Sequence, residues 1–497
     1  MSPYFIILRR ENIVEYVIGL DLGTGTIKGI AVSSNGEILA KHSEGYKIYI
    51  EGNGYSEQNP EDWYNASLKV LEKIVLNLNG HELKAISISG QMHSLVLLDK
   101  ECNVIRKSIL WNDTRNTKEC NYVMDKMGER IIEITGNKCL EGFTLPKILW
   151  VKENEPSNWE KTLKFCMPKD YLVLKYTGNI CTDVSDAAAT LMFDIEKKEW
   201  SDEILNSLGI EKEKCPKVYN SIESVGELNE EIKRKLGIKG AVKIFPAGAD
   251  NPCSALGSGI INKNKALLSI GTSGVYFEYE DSYKNYNGKL HMFNNVIPNS
   301  YYSMGVTLSA GDSLSWFKNT FAPDKNFDEV LEGIEDVIPG SNGLLFAPYI
   351  VGERTPYTDS KVRGTFIGID KRHGFKDFAR AVIEGITFSL KDCFNIYNNC
   401  DEKEIISVGG GSRSKVWLQI QADIFNKKII SLKNEEGPSL GAAIIAAVSL
   451  NWFDSFGDAV NLIVKEEECF YPNKELVDIY EELYNRYRKI YKCIKNI

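Results

Sequence analysis

Two acidic residues stand beside turns whose composition suits a phosphate. Asp21 lies near the end of an apolar run at residues 17–22, and the tight turn Gly23, Thr24, Gly25, Thr26 follows it. Such a turn offers several backbone N–H groups and two hydroxyls that can cradle a phosphate, and the carboxylate can hold Mg²⁺ directly or through water. The same residues also make an ordinary hairpin tip, with Asp21 satisfying backbone amides. Taken alone, the stretch serves either reading.

Asp250 is the second carboxylate. A strand-like segment at residues 242–245 runs into Pro246-Ala247-Gly248-Ala249-Asp250-Asn251, and a helix is expected from Pro252 with Asn251 as its cap. That arrangement frees the Asp250 carboxylate, and the positive helix end keeps it ionised, as a proton acceptor must be. A surface Asp in a turn fits the local sequence equally well.

The strand, Gly/Thr turn, strand pattern recurs around Gly271, Thr272, Ser273 and Gly274. Two copies half a chain apart imply two domains of similar build, each presenting a phosphate-gripping hairpin to a shared cleft. The boundary falls in the small-residue helix at residues 253–261. A third run, Gly409, Gly410 and Gly411, follows a strand and precedes an amphipathic helix through Val416, Ile420 and Ile424. Glycines there let backbone approach a flat ligand or a phosphate closely. None of these runs is a dinucleotide fingerprint. After Gly23-x-Gly25 the third glycine comes late, at Gly29, and a strand follows the turn, while Ser414 replaces the third glycine in the later run. A Walker A loop is absent too, which disfavours a dehydrogenase and a P-loop enzyme alike.

Met92 and His93 end a buried strand at residues 84–89, where α/β folds place ligand contacts, although a lone His there is more often only hydrogen-bonded. Trp111, in Ile109-Leu110-Trp111-Asn112-Asp113-Thr114-Arg115, either lines a pocket or fills a core, and core is the expectation.

The elements that must position these residues are legible from period and punctuation. Residues 17–40 read as a β-meander, with Ser33-Ser34-Asn35-Gly36 as its second turn. Asn59-Pro60-Glu61-Asp62 starts a helix whose Trp63, Val70, Leu71, Ile74 and Leu78 share one face. Residues 142–213 read as helical with short strands. The C-terminal helix, with Leu476, Tyr480, Leu483, Tyr487 and Tyr491 on one side, reads as packing only.

Composition narrows the class. A chain of 497 residues exceeds what one core supports, and 43% hydrophobic with 26% charged residues is ordinary for a globular protein. The 59 Lys and Arg against 68 Asp and Glu, without a basic cluster, argue against nucleic acid and anionic membrane as partners. Eleven scattered cysteines without Cys-x-x-Cys read as reduced thiols in a cytoplasmic protein, and the five histidines lack metal-ligand spacing. No stretch has the apolar length to span a membrane, and residues 1–14 read as a loose extension.

Together these stretches resemble the FGGY carbohydrate kinases of the actin/hexokinase-like ATPase superfamily. One family signature is matched by Gly142-x-Thr144-x-x-Lys147-Ile148-x-Trp150-Val151-x-Glu153-Asn154. The other is matched by Gly364-x-Phe366-x-Gly368-Ile369, leading to Asp377-Phe378-x-x-Ala381-Val382-Ile383-Glu384. Gly90-Gln91-Met92-His93, Ser185-Asp186-Ala187-Ala188 and Gly352-Glu353-Arg354-Thr355-Pro356 are similar to the members that phosphorylate D-xylulose. The resemblance implies an α/β fold of two ribonuclease H-like ATPase domains around a central cleft. Residues 15–255 would form the sugar and phosphate side and residues 256–497 the nucleotide side. It further implies ATP-dependent phosphorylation of a ketopentose, D-xylulose first, at its C5 hydroxyl, with Mg²⁺. Asp250 would be the general base and Asp21 a residue for Mg-ATP. Met92, His93, Asn251 and Trp111 would contact the sugar, the turns at Gly23 and Gly271 the phosphates, and Gly409 to Gly411 the adenosine. The chain departs from the usual pattern at Asn251-Pro252-Cys253-Ser254, where relatives often carry smaller residues, and at Ser412, where Ala is common. A sibling kinase for gluconate, ribulose or glycerol is the alternative. A non-catalytic sensor would be expected to have lost Asp21 or Asp250. A homodimer is left open.

Overall fold

The computed structural model of the protein describes residues 13–397 and 403–497. Positions 1–12 of the expected N-terminal extension lie outside them.

The first half opens with the β-meander read from the sequence: β1 (Glu15–Leu22), β2 (Thr26–Ser33) and β3 (Ile38–Gly45). Helix α1 (Pro60–Asn77) follows, and the Asn59 side chain caps it by accepting from Glu61 N. Pro60 sits in the first turn, where a missing N–H costs nothing. Strand β4 (Glu82–Gly90) leads into an insertion carrying α2 (Thr144–Asn154) and the short α3 (Val184–Ala188). The chain returns through β5 (Gly226–Glu227) and β6 (Lys243–Ala249), and α4 (Asp250–Gly257) closes this half.

The second half repeats the plan with β7 (Lys265–Ile270), β8 (Gly274–Glu280), β9 (His291–Asn294) and β10 (Tyr301–Thr307). Then come α5 (Gly311–Phe321), β11 (Glu404–Gly409), α6 (Lys415–Phe425), β12 (Ile429–Leu432), α7 (Gly437–Ser449), β13 (Glu466–Phe470) and α8 (Lys474–Ile494).

Strand order makes the repetition explicit. The first sheet runs β5-β6-β4-β1-β2-β3 and the second β9-β10-β8-β7-β11-β12-β13. In each, an antiparallel hairpin (β1–β2, β7–β8) sits mid-sheet, and parallel strands (β4 and β6, β11 and β12) extend from its first strand.

The halves interlock through small residues. Helix α7 belongs to the second half by sequence yet lies on β1 and α4 of the first. A Cβ on Gly19 would stand 2.0 Å from Ser439 O, one on Gly441 1.9 Å from Cys253 O, and one on Gly257 2.3 Å from Gly437 O. Real Cβ atoms do not approach so closely, so glycine sets how near these backbones come. Ala442, Ala443, Ala446 and Ala447 on α7 are fully buried. Lys28 of β2 and Lys41 of β3 both pair with Glu436, at 2.5 and 3.0 Å, just before α7.

A candidate active site at aligned strand ends

Register brings the predicted residues together. Leu22 of β1 pairs with Gly90 of β4, and Gly90 pairs with Ala249 of β6. Three parallel strands therefore end level. Asp21 lies one residue before that line, Asp250 one residue after it, and Met92 and His93 two and three after. Carboxyl ends of parallel strands are where open α/β sheets bind ligands. The second sheet does the same at smaller scale: Ile270 pairs with Gly409, so Gly271 and Gly410 both follow the aligned ends.

The helix carrying Asp250 starts two residues earlier than expected. Ala249, extended at φ −55° and ψ 150°, occupies the cap position without a side-chain bond, so Asp250, Asn251 and Pro252 form the first turn. Asn251 is not the cap. All first-turn N–H groups lack helical partners, so Pro252 is as well tolerated at the third position as at the first. Asn251 instead points its amide at the site: Nδ2 donates to Asp250 Oδ1 at 3.1 Å and to Met92 Sδ at 3.4 Å, and its backbone N–H donates to the same Oδ1 at 2.8 Å. Asp250 Oδ2 takes none of these bonds. Burial pushes the Asp250 carboxyl up to about 6, against the Asn251 bonds that stabilise the anion. The helix end alone does not hold it at an ordinary value, but it stays ionised at neutral pH.

Asp21 is more strained electrostatically. Its Oδ1 is buried without a hydrogen-bond partner. Burial, then the charge of Asp250, push its carboxyl up to about 7, while Lys28, its partner across the β1–β2 ladder, opposes the shift. An orphaned carboxylate oxygen repelled by a second carboxylate is a place where a cation would lower the energy of both. No group of three or more His, Cys, Asp or Glu side chains converges on a metal position among the described residues. The donor set therefore fits a hard cation that is held mostly by water and phosphate.

The Gly23 to Thr26 turn is braced from behind. Tyr46 OH donates to Gly23 O, and Gln58 Nε2 donates to Thr24 O at 2.6 Å. Gln58 is itself fully buried and held by Trp63 Nε1 and Gln91 Nε2, each at 3.1 Å. Neither Tyr46 nor Gln58 has a sequence signature, since both act through partners far along the chain.

Trp111 is not a core residue. It is 38% exposed, and its Nε1 donates to Thr24 Oγ1 at 2.9 Å, tying the tryptophan to the phosphate turn. Met92 is the buried one, 3% exposed, its sulfur also 3.8 Å from Tyr302 OH. His93 adopts a left-handed backbone, φ 69°, which Thr144 stabilises by donating from Oγ1 to His93 O at 2.9 Å. Its Nδ1 lies 2.7 Å from Ala189 O and must carry the proton to bond it, leaving Nε2 as an acceptor. Burial pushes the ring down to about 3, so it is neutral. Phe143 stands edge-on to it at 4.7 Å, on a turn whose three carbonyls, Glu141, Gly142 and Phe143, accept from the buried Lys147.

In the second half, Gly271, Thr272, Gly410 and Gly411 line one cavity of about 450 Å³ with Asp312, Arg413 and Trp417. That volume suits a nucleoside-sized ligand. The hairpin tip is fixed by α5: Gly311 N–H donates to Gly271 O at 2.8 Å, and Ala310 N–H to Thr272 O at 2.9 Å. Ser273 and Gly409 lie outside the wall. The Gly409 N–H donates to Glu435 Oε2 at 2.9 Å. Ser414 caps α6, accepting from Trp417 N at 3.3 Å.

Duplicated sheets with level strand ends around hydroxyl-rich hairpins define an actin/hexokinase-like phosphotransferase fold. Comparison with known proteins narrows the class. The N-terminal and C-terminal domain models of the FGGY family of carbohydrate kinases match residues 16–257 and 266–450, and the chain belongs to that family. It is 46% identical to the xylulose kinase of Bacillus subtilis over 489 residues, 97% of this chain and 98% of the relative. Two solved structures from Lactobacillus acidophilus superpose with a TM-score of 0.92 at 28% identity. One is a gluconate kinase, covering 97% of this chain and 98% of that one; the other is a ligand-bound xylulose kinase, covering 96% and 98%.

Proposed function

We propose that the protein transfers the γ-phosphoryl group of ATP to the C5 hydroxyl of D-xylulose. The observation that carries the chemistry is Asp250: a partly buried carboxylate at the level of the strand ends, with both Asn251 bonds on Oδ1 and none of them on Oδ2. Full-length similarity to xylulose kinases supports the choice of sugar.

In this reading Asp250 accepts the C5 hydroxyl proton as O5 bonds the γ-phosphorus, and the bridging bond to ADP breaks with its electron pair leaving on ADP. Such transfers depend on positioning and charge neutralisation more than on covalent help. The Gly23 to Thr26 turn, with Thr24 held by Gln58 and Trp111, and the Gly271 to Ser273 turn bind the phosphates. The cavity at Gly410 and Gly411 takes the adenosine. His93 Nε2 accepts from a sugar hydroxyl, Asn251 and Trp111 border the sugar, and Met92 supports Asn251. A Mg²⁺ ion near Asp21 would neutralise charge on the triphosphate. Domain closure over the sugar excludes water and limits idle ATP hydrolysis.

Initial rates of ADP release across a panel of D-xylulose, D-ribulose, gluconate and glycerol test the reading. Highest kcat/KM on D-xylulose is expected. The gluconate kinase among the solved structures makes gluconate the informative competitor, and a preference for it would reject the substrate assignment.

A further inference from the structure

One guanidinium in the second half has no partner among the described residues. The Arg354 side chain makes no hydrogen bond and no ion pair among the described residues, although it is only partly exposed. A guanidinium is always charged, carries five donors, and costs free energy when it is drawn from water unpaired.

The loop that presents Arg354 is firmly built. Glu353, 2% exposed, accepts from Leu308 N at 3.0 Å and from Arg354 N at 2.8 Å. Thr355 exchanges bonds with Val306 of β10, donating to its carbonyl at 3.0 Å and accepting from its N–H at 3.1 Å. Gly352 has φ +92°, and a Cβ there would meet Ser360 Cα at 2.8 Å.

The loop delivers the charge to the seam between the halves. Arg354 lines a small pocket with His291 of β9 and with Lys138 and Leu140 of the first half. The His291 ring is 5.8 Å from Phe143, whose ring is the edge-on neighbour of His93. Arg354 and the proposed sugar contacts therefore share one aromatic wall. An opposite charge that reaches Arg354 from the first half is Glu141. It attracts Arg354 but forms no ion pair with it, and accepts from Thr117 Oγ1 at 3.1 Å.

We infer that Arg354 is a substrate-binding residue supplied by the second half, hydrogen-bonding the oxygens at the carbonyl end, C1 to C3, of a ketose whose C5 end lies at Asp250. Neutral His93 supplies an acceptor for a hydroxyl proton, and Arg354 supplies donors for the carbonyl and hydroxyl oxygens, so the two are complementary. Sugar binding then draws on both halves of the chain. The inference rests on the substrate reading above.

The full-length protein and its Arg354→Met, Arg354→Lys and Glu141→Gln variants decide the matter by steady-state kinetics and thermal melting. Arg354→Met is expected to raise KM for D-xylulose about 10–100-fold, with KM for ATP within about twofold and no loss of melting midpoint. Arg354→Lys recovers part of the sugar affinity. A D-xylulose KM within about twofold of the parent in both Arg354 variants overturns the inference. So does a Glu141→Gln variant that reproduces the Arg354→Met loss, since Arg354 would then act as a latch between domains. If the parent ignores D-xylulose but phosphorylates another sugar, the substrate reading fails, and the same comparison on that sugar decides the role of Arg354.

Discussion

Ala249 N–H donates to Ser185 Oγ at 3.0 Å, and that hydroxyl donates onward to Asp183 Oδ2 at 2.6 Å. Asp183 in turn meets Lys169, whose ammonium also contacts Asp170 and Asp186 at 2.6 and 3.4 Å, all four side chains fully buried. The residue before Asp250 is thus anchored to an interior ion cluster. Ser185→Ala leaves that N–H unpaired and should cost about 1–3 kcal/mol of stability, read as a lower urea midpoint together with reduced kcat. Lys169→Met strands three buried carboxylates, a loss of about 3–5 kcal/mol, and should leave little folded protein.

Asp250→Ala should lower kcat for sugar phosphorylation by about 10²–10⁴-fold or more, with nucleotide affinity by calorimetry largely intact. Near-normal turnover in this variant would sink the general-base assignment.

The two raised carboxyls set an acid limb. The productive forms of Asp250 and Asp21 are deprotonated, so kcat/KM should rise with pH through about 6 to 7 and then level. Stability runs the other way. Both carboxyls hold protons in the folded state at pH values where the unfolded chain, near 3.8, has released them, so stability falls as pH rises across that window. Asp21→Asn should flatten this fall between pH 5 and 8 in urea titrations, and an unchanged slope would show that Asp21 is not its source.

Trp111→Phe removes the Nε1 bond to Thr24 while keeping a ring. A neutral hydrogen bond of about 0.5–1.5 kcal/mol predicts a loss of about 2–10-fold in kcat/KM, separable from a packing effect by an unchanged melting midpoint, since the ring is partly exposed.

Gly441→Ala places a methyl against Cys253 O and should force α4 and α7 apart, at a cost of about 1–3 kcal/mol or more. Gly25→Ala, where a Cβ meets nothing within 4 Å, is the matched control for stability and should melt like the parent.

Local signals carried most of the frame. The meander at residues 17–40 and the Asn59–Pro60 helix start are encoded by period-2 alternation, turn residues and a cap, all of which act within a few residues. The start of α4 was not legible in the same way. A proline fits any first-turn position, so Pro252 could not reveal that Ala249, without a side-chain cap, begins the helix. Trp111 illustrates a second limit. An aromatic after an apolar run reads as core, and only the distant Thr24 hydroxyl explains why it faces outward. Gln58 lies beyond sequence reasoning for the same cause, since it acts on Thr24 across a gap of 34 residues. Arg354 stands in a motif that the sequence shows, but only the fold places it beside His291 and Lys138. The strand ends near Leu22 and Gly90 could be read, whereas the third strand, expected to stop at Phe245, runs on through Pro246 to Ala249. The common level of the three ends comes from register.

The position of α7 bears on how the molecule comes into being. Gly19 lies early on the nascent chain, whereas Ser439 and Ala443, which press against it, are made near the end. The face of the first sheet around β1 therefore has no cover of its own until about residue 449 has left the ribosome. Ribosome-bound chains stalled before residue 436 should show β1 and β4 open to protease, and chains stalled beyond the end of α7, with enough tether to clear the exit tunnel, should show them closed.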